Sequence, residues 1–167
     1  MLKHRCLLFL LCLLPLAVAA QSAQSHGAKL LVPENLQLDS KQAQSENKPL
    51  VLMFSLPDCP YCKVVRTNYL EPMLREGTAA ERPVIRELQI TSRKSLTDFD
   101  GSLTTQSALA KRYQVRMAPT LVFVDAAGQM LAAPIVGGEH GFYMAYLDRA
   151  FAEAAKNSAA GRIWTAQ

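Results

Sequence analysis

Charge, glycine and long apolar runs are all in short supply in this chain. Only 19% of its 167 residues are charged while 50% are apolar, which excludes a disordered polyelectrolyte. Eight glycines and nine prolines are too few for a collagen-like array. No internal repeat or low-complexity block is present. Cysteine is scarce too. Of four, Cys6 and Cys12 sit in an N-terminal apolar run and only Cys59 and Cys62 lie beyond it, so a disulfide-stapled scaffold is excluded. Net charge is small. Lys3 and Arg5 lie in the first twenty residues with no acid, so the +4 of the whole chain falls to +2 for residues 21–167. That balance argues against nucleic acid as a partner. The length suits one domain with a real core.

What is present begins with an address. Met1–Arg5 is short and basic, and Cys6–Ala20 then runs without a charge. This is the pattern of a secretory signal peptide, ending in the small residues Ala17-Val18-Ala19-Ala20. The run holds 15 residues, below the roughly 20 needed to cross a bilayer, although an uncleaved anchor is the alternative. Residues 1–20 are therefore read as a cleaved leader, with the mature protein exported to the periplasm.

Residues 21–48 read as an N-terminal extension, with Asp39–Lys48 a polar helix or loop. Leu50–Ser55 (LVLMFS) is apolar without alternation, as in a strand buried on both faces. A helix is expected from Pro60, with Cys62, Val65 and Tyr69 on one face and Pro72 kinking or ending it. Val84–Ile90 reads as a second strand, Thr91–Leu103 as a polar loop, and Thr104–Tyr113 as a helix. Thr120–Asp125 is a third strand, joined through a turn at Gly128 to a strand over Gln129–Val136. A final helix carries Phe142, Tyr146, Leu147, Ala150, Phe151 and Ala154 as its packing stripe. The order β-α-β-α-β-β-α specifies one α/β domain over residues 49–160, with residues 161–167 a tail. Trp164, the only tryptophan, is expected to fold back on the core. Met53 and Met117 are read as core, and His140 as a surface residue.

The chemistry is concentrated in Cys59-Pro60-Tyr61-Cys62, between a strand and a helix. A cysteine at a helix N-terminus meets unpaired backbone N–H groups and the positive end of the helix dipole, which favour the thiolate. Cys62 lies one turn on, within disulfide reach. The first thiol can attack a disulfide and the second can resolve the mixed disulfide. A zinc site would need a second cysteine pair, and beyond residue 20 only His26 and His140 remain as other soft ligands. An inert structural disulfide is the other reading, though a two-residue loop stabilises little.

With that quartet after a strand, the segment Tyr113–Thr120 ending Met117-Ala118-Pro119-Thr120, and the strand–turn–strand–Gly–helix end, the chain resembles the thioredoxin superfamily over about residues 49–155. The resemblance implies a thioredoxin fold, a central mixed β-sheet flanked by helices in a single domain. It implies that Pro119 is cis and faces the redox pair, and that the backbone of Ala118 pairs with an extended substrate. Pro60, Tyr61, Ala118 and Pro119 then frame the substrate groove. The loop Thr97–Gly101 and the helix after it look like exported bacterial members, such as sulfur-oxidation thioredoxins and the catalytic domains of periplasmic disulfide isomerases. Cys-Pro-Tyr-Cys also occurs in glutaredoxins, but the 57 positions from Cys62 to Pro119 are long for that fold.

Three departures stand out. Asp58 replaces the tryptophan that precedes the first cysteine in cytoplasmic thioredoxins, Met53 stands where they carry a buried acid, and Ala118 stands where isomerases carry threonine. The expectation is a monomeric, exported thiol–disulfide oxidoreductase needing no metal or organic cofactor. It would act on disulfide-bearing exported proteins and draw electrons from a membrane thiol donor. A disulfide oxidase or isomerase on the same fold, or a redox-sensing binding protein, are the rival readings.

Overall fold

The computed structural model describes residues 29–76, 78, 81–138 and 141–165; the signal-peptide reading and His140 fall outside them. Helix α1 (Leu36–Ser45) leads into strand β1 (Leu50–Ser55). Helix α2 (Pro60–Val65) continues through a π-helical turn (Arg66–Leu70) into α3 (Glu71–Arg75). Strands β2 (Val84–Gln89), β3 (Ser95–Thr97) and β4 (Leu103–Thr105) precede α4 (Gln106–Arg112). Strands β5 (Thr120–Val124) and β6 (Ile135–Val136) and helix α5 (Tyr143–Ala159) complete the chain.

The main sheet has the order β2-β1-β5-β6. β1 runs parallel to β2 and antiparallel to β5, and β5 runs antiparallel to β6, so the sheet is mixed. Every residue of β1 and β5 is buried, as the unbroken apolar runs predict. Alternation sorts them between two cores. Val51, Met53, Leu121 and Phe123 meet α2 and α5, with Cys62, Val65, Leu147 and Ala154. Leu50, Leu52, Phe54, Val122 and Val124 meet α1 and α4, with Leu36, Ala43 and Leu109.

Several expectations need correction. Residues from Leu30 onward are part of the packed domain rather than an extension before residue 49. Leu36 and Ala43 are buried in the second core, and the Glu87 N–H donates to the Leu31 carbonyl at 2.8 Å along the free side of β2. Asp39 and Arg86 close this contact at 2.5 Å. Pro72 does not end the helix. The chain widens into the π-turn just before it, which accommodates a residue that cannot donate to the preceding turn. The polar loop 91–103 contains β3 and enters β4, which pair as a small separate sheet. The strand over Gln129–Val136 shrinks to β6 plus one bridge from Met130 to Val124, because Pro134 has no N–H for a ladder. The packing stripe of α5 is Tyr143, Leu147, Ala150 and Ala154 with Phe151 beside them; Phe142 and Tyr146 are exposed. Gly128 adopts φ +75°, as the turn requires, and a Cβ there would lie 2.6 Å from the Phe99 ring. Trp164 is half-buried, and its N–H donates to the Met130 carbonyl at 2.7 Å.

Loop 97–101 is fixed by Asp98, which is buried and accepts from both terminal nitrogens of the Arg112 guanidinium and from the Phe99 N–H. The Arg112 hydrogen bonds hold the Asp98 carboxyl below its ordinary value, against the opposing effect of burial. A depressed folded pKa stabilises the protein above the unfolded value of about 3.9, and that stability is lost as pH falls through the folded value. Arg112→Met leaves Asp98 buried without its cation. We expect a loss of about 2–3 kcal/mol at pH 7 in denaturant unfolding, below the full cost of a buried pair because Arg112 is half exposed. The variant's stability should also fall less steeply on acidification below pH 4 or so.

Candidate active site

β1 delivers the chain to the short segment 56–58, and Asp58 turns it at φ +53°, a left-handed conformation that aspartate tolerates. Asp58 is exposed to solvent. Cys59 is the N-cap of α2 and Pro60 its first residue, matching the expected helix start. The Cys59 Sγ accepts the Cys62 N–H at 3.1 Å. The two cysteines are joined as a disulfide with their Cα atoms 5.2 Å apart. The pair is asymmetric. Cys59 is partly exposed, whereas Cys62 is buried in the first core with Val65 and Met53. Cys59 opens onto a groove of about 460 Å³ lined by Leu56, Asp58, Pro60, Lys63 and Arg66.

The Ala118–Pro119 peptide bond is cis, as the resemblance implied. Ala118 packs on the same core as Cys62, and Pro119 is buried. Tyr61 is exposed beside them, and so is Met117, which the sequence placed in the core. The Thr120 hydroxyl donates to the Met117 carbonyl at 2.8 Å and fixes the backbone of this loop.

The site also uses residues that sequence reasoning missed. Gly138 is the contact between its parts. A Cβ there would lie 3.0 Å from the Pro119 ring, from the Tyr61 carbonyl and from Val65. The Gly137 N–H donates to the Pro119 carbonyl at 2.8 Å. The Gly137-Gly138 pair was the available signal, since close backbone approach is a standard use of glycine. We expect Gly138→Val to push α2 away from the Pro119 loop, slowing disulfide exchange about tenfold or more while costing about 1–3 kcal/mol in unfolding.

No acid replaces the missing carboxylate at Met53, which is fully buried. Met53 pairs in register with Glu87 on β2, and Glu87 is bound at both oxygens by Arg66 of the π-turn. Those bonds raise the Arg66 guanidinium above its ordinary value, so Arg66 stays cationic beside the cysteine groove. Tyr143 lies in the same core as Cys62, its ring 4.7 Å from that of Tyr69 and tilted by 42°, and its hydroxyl has no hydrogen-bond partner among the described residues. Burial pushes that phenol well above its ordinary range. Among the described residues, no three His, Cys, Asp or Glu side chains are grouped to hold a metal.

A thioredoxin-like domain family matches residues 36–141, and the chain belongs to that family. Its fold is shared by a thioredoxin from Thermus thermophilus at 20% identity and a TM-score of 0.52, covering 81% of this chain and 94% of that one. An oxidised thioredoxin O2 from Arabidopsis thaliana is similar at 16% identity and a TM-score of 0.49, covering 74% and 96%. An oxidoreductase named DsbH is similar at 21% identity and a TM-score of 0.48, covering 80% and 92%. No curated protein matches the chain. A thioredoxin-like domain with a Cys-x-x-Cys pair closed as a disulfide defines the general class of thiol–disulfide oxidoreductases.

Proposed function

We propose that this protein is an exported, monomeric reductase of protein disulfides, with Cys59 as nucleophile and Cys62 as resolving thiol. The observation that carries the reading is the asymmetry of the pair: a partly exposed sulfur capping a helix, and a buried one beneath it. In the reduced protein, the Cys62 N–H and the helix N-terminus favour the Cys59 thiolate. That thiolate attacks one sulfur of a client disulfide, and the other client sulfur leaves as a thiolate and takes up a proton. Cys62 then loses its proton and attacks the Cys59 sulfur as a thiolate, expelling the second client sulfur as a thiolate that takes up a proton. Two electrons pass to the client, and the protein is left with the Cys59–Cys62 disulfide. A membrane dithiol donor returns the pair to the reduced state. Ala118, at the edge of the Pro119 loop, offers its backbone to an extended client, flanked by Pro60 and Tyr61. Export rests on the basic start and apolar run of residues 1–20.

The test is turnover. With a dithiol regenerating it, the purified protein should accelerate the reduction of an exposed protein disulfide, and a rate no higher than that of the dithiol alone contradicts the proposal. N-terminal sequencing of the protein from the cell envelope should begin at Ala20 or Gln21.

A further inference from the structure

The two edges of the main sheet are treated differently. The β2 edge is covered by the protein's own chain, through the Leu31 bridge to Arg86 and the Glu87–Leu31 hydrogen bond. The β6 edge carries no further strand among the described residues. Its polarity can be assigned. The Gly137 N–H turns inward to the Pro119 carbonyl, so the alternation of an antiparallel ladder turns the Val136 N–H and C=O outward. Beside this edge lies a groove of about 320 Å³ between β6 and α5. Ile135, Val136, Tyr146 and Ala150 line it, with Arg149 and Glu153 as its charged members.

The open edge runs toward the redox site along the chain. Val136 is two residues from Gly138, which abuts both Tyr61 and Pro119. At no more than about 3.3 Å per residue, with the chain bent at Gly137 (φ +88°), the open edge starts within roughly 7 Å of the wall of the site. A chain bonded through its cysteine to Cys59 reaches it within a few residues.

Resting on the reading of the Cys59–Cys62 pair as a protein-disulfide reductase, we infer that the β6–α5 groove is a second client subsite. It takes an extended, apolar segment of the client a few residues from its reacting cysteine. The segment pairs with the outward N–H and C=O of Val136 and lays a side chain against Ile135 and Ala150. Edge pairing supplies affinity for any extended sequence, and the apolar lining selects the side chain. The occupant is an unfolded or loop segment of the client rather than a second copy of this chain, because the edge ends two residues from Gly138, whose neighbours Tyr61 and Pro119 belong to the site of the cysteine that must be bonded to the client.

The experiment uses reduced protein and decapeptides whose single cysteine is disulfide-bonded to 2-nitro-5-thiobenzoate. The Cys59 thiolate takes the peptide sulfur and releases the coloured thiolate. One peptide has alternating valines on both sides of the cysteine, and another has Gly and Ser there. The symmetric aromatic disulfide of the same thiol is the small control. Val136→Pro removes the outward donor together with the valine side chain, and Val136→Thr keeps the donor while changing the side chain.

The valine peptide should react about tenfold faster with the wild type than with Val136→Pro, with Val136→Thr near wild type. The Gly-Ser peptide should be slower than the valine peptide, and the small control unchanged in all three proteins. Equal loss on the small control would mean a distorted site, and unchanged valine-peptide rates would mean no subsite; either overturns the inference. A dimer in sedimentation that Val136→Pro dissociates would make the occupant a second copy and overturn it as well. Absence of colour release even from the wild type and the small control would instead sink the redox reading itself.

Discussion

Cys59→Ser is expected to lower disulfide exchange by more than about a thousandfold while leaving the fold intact. Serine keeps the shape and can still cap α2, since its oxygen can accept the Cys62 N–H as sulfur does at 3.1 Å. What it lacks is an anion accessible at neutral pH and a sulfur that forms disulfides. Cys62→Ala separates the two steps. Cys59 keeps its place at the helix N-terminus and still attacks, but no second thiolate releases the client. A mixed disulfide through Cys59 should therefore accumulate and be visible on non-reducing gels. Full turnover by Cys59→Ser would assign the activity to something other than this pair.

Phe123→Ala carries the largest expected cost to stability. Phe123 lies in the middle of β5, pairs in register with Val51, and is fully buried. Its ring meets Phe151 of α5 edge-on at 5.1 Å and an interplanar angle of 86°. Truncation removes the transfer free energy of the ring and leaves a cavity between sheet and helix. We expect a loss of about 3–5 kcal/mol, a large share of the roughly 5–15 kcal/mol that holds a domain of this kind together. The midpoint of denaturant unfolding should fall with little change in slope. The same substitution at exposed Phe142 should move the midpoint hardly at all, because that ring packs against little.

What could be read from the sequence follows from where the physics is local. Leu50–Ser55 and Thr120–Val124 are unbroken apolar runs, so two central strands were legible from composition alone. Pro60 after Cys59 marked the helix start for steric reasons. The cis state of Pro119 came from resemblance, since no local pattern separates it from an ordinary strand-opening proline.

The losses are equally physical. Helix α1 buries only Leu36, Ser40 and Ala43, a stripe too faint to place it in the core, although Asn35 capping it was a usable sign. β3 and β4 are three residues each and mostly polar, so nothing in their periodicity distinguishes them from a loop. Phe142 and Tyr143 are adjacent aromatics, and which one faces the sheet depends on where α5 begins. In the site, Gly138 and the Arg66–Glu87 pair depend on contacts between distant segments, which no single stretch of sequence reports.

The most direct test of the account is the redox equilibrium of the Cys59–Cys62 pair, read in the purified protein against graded ratios of reduced and oxidised dithiol. The account predicts a reversible two-electron couple toward the thioredoxin end, near −270 mV, where the reduced pair gives its electrons to client disulfides. A potential near −120 mV would contradict it and make the protein an oxidant of client thiols. A disulfide that stays closed below about −300 mV would contradict it in the other direction, as a structural bond with no part in exchange.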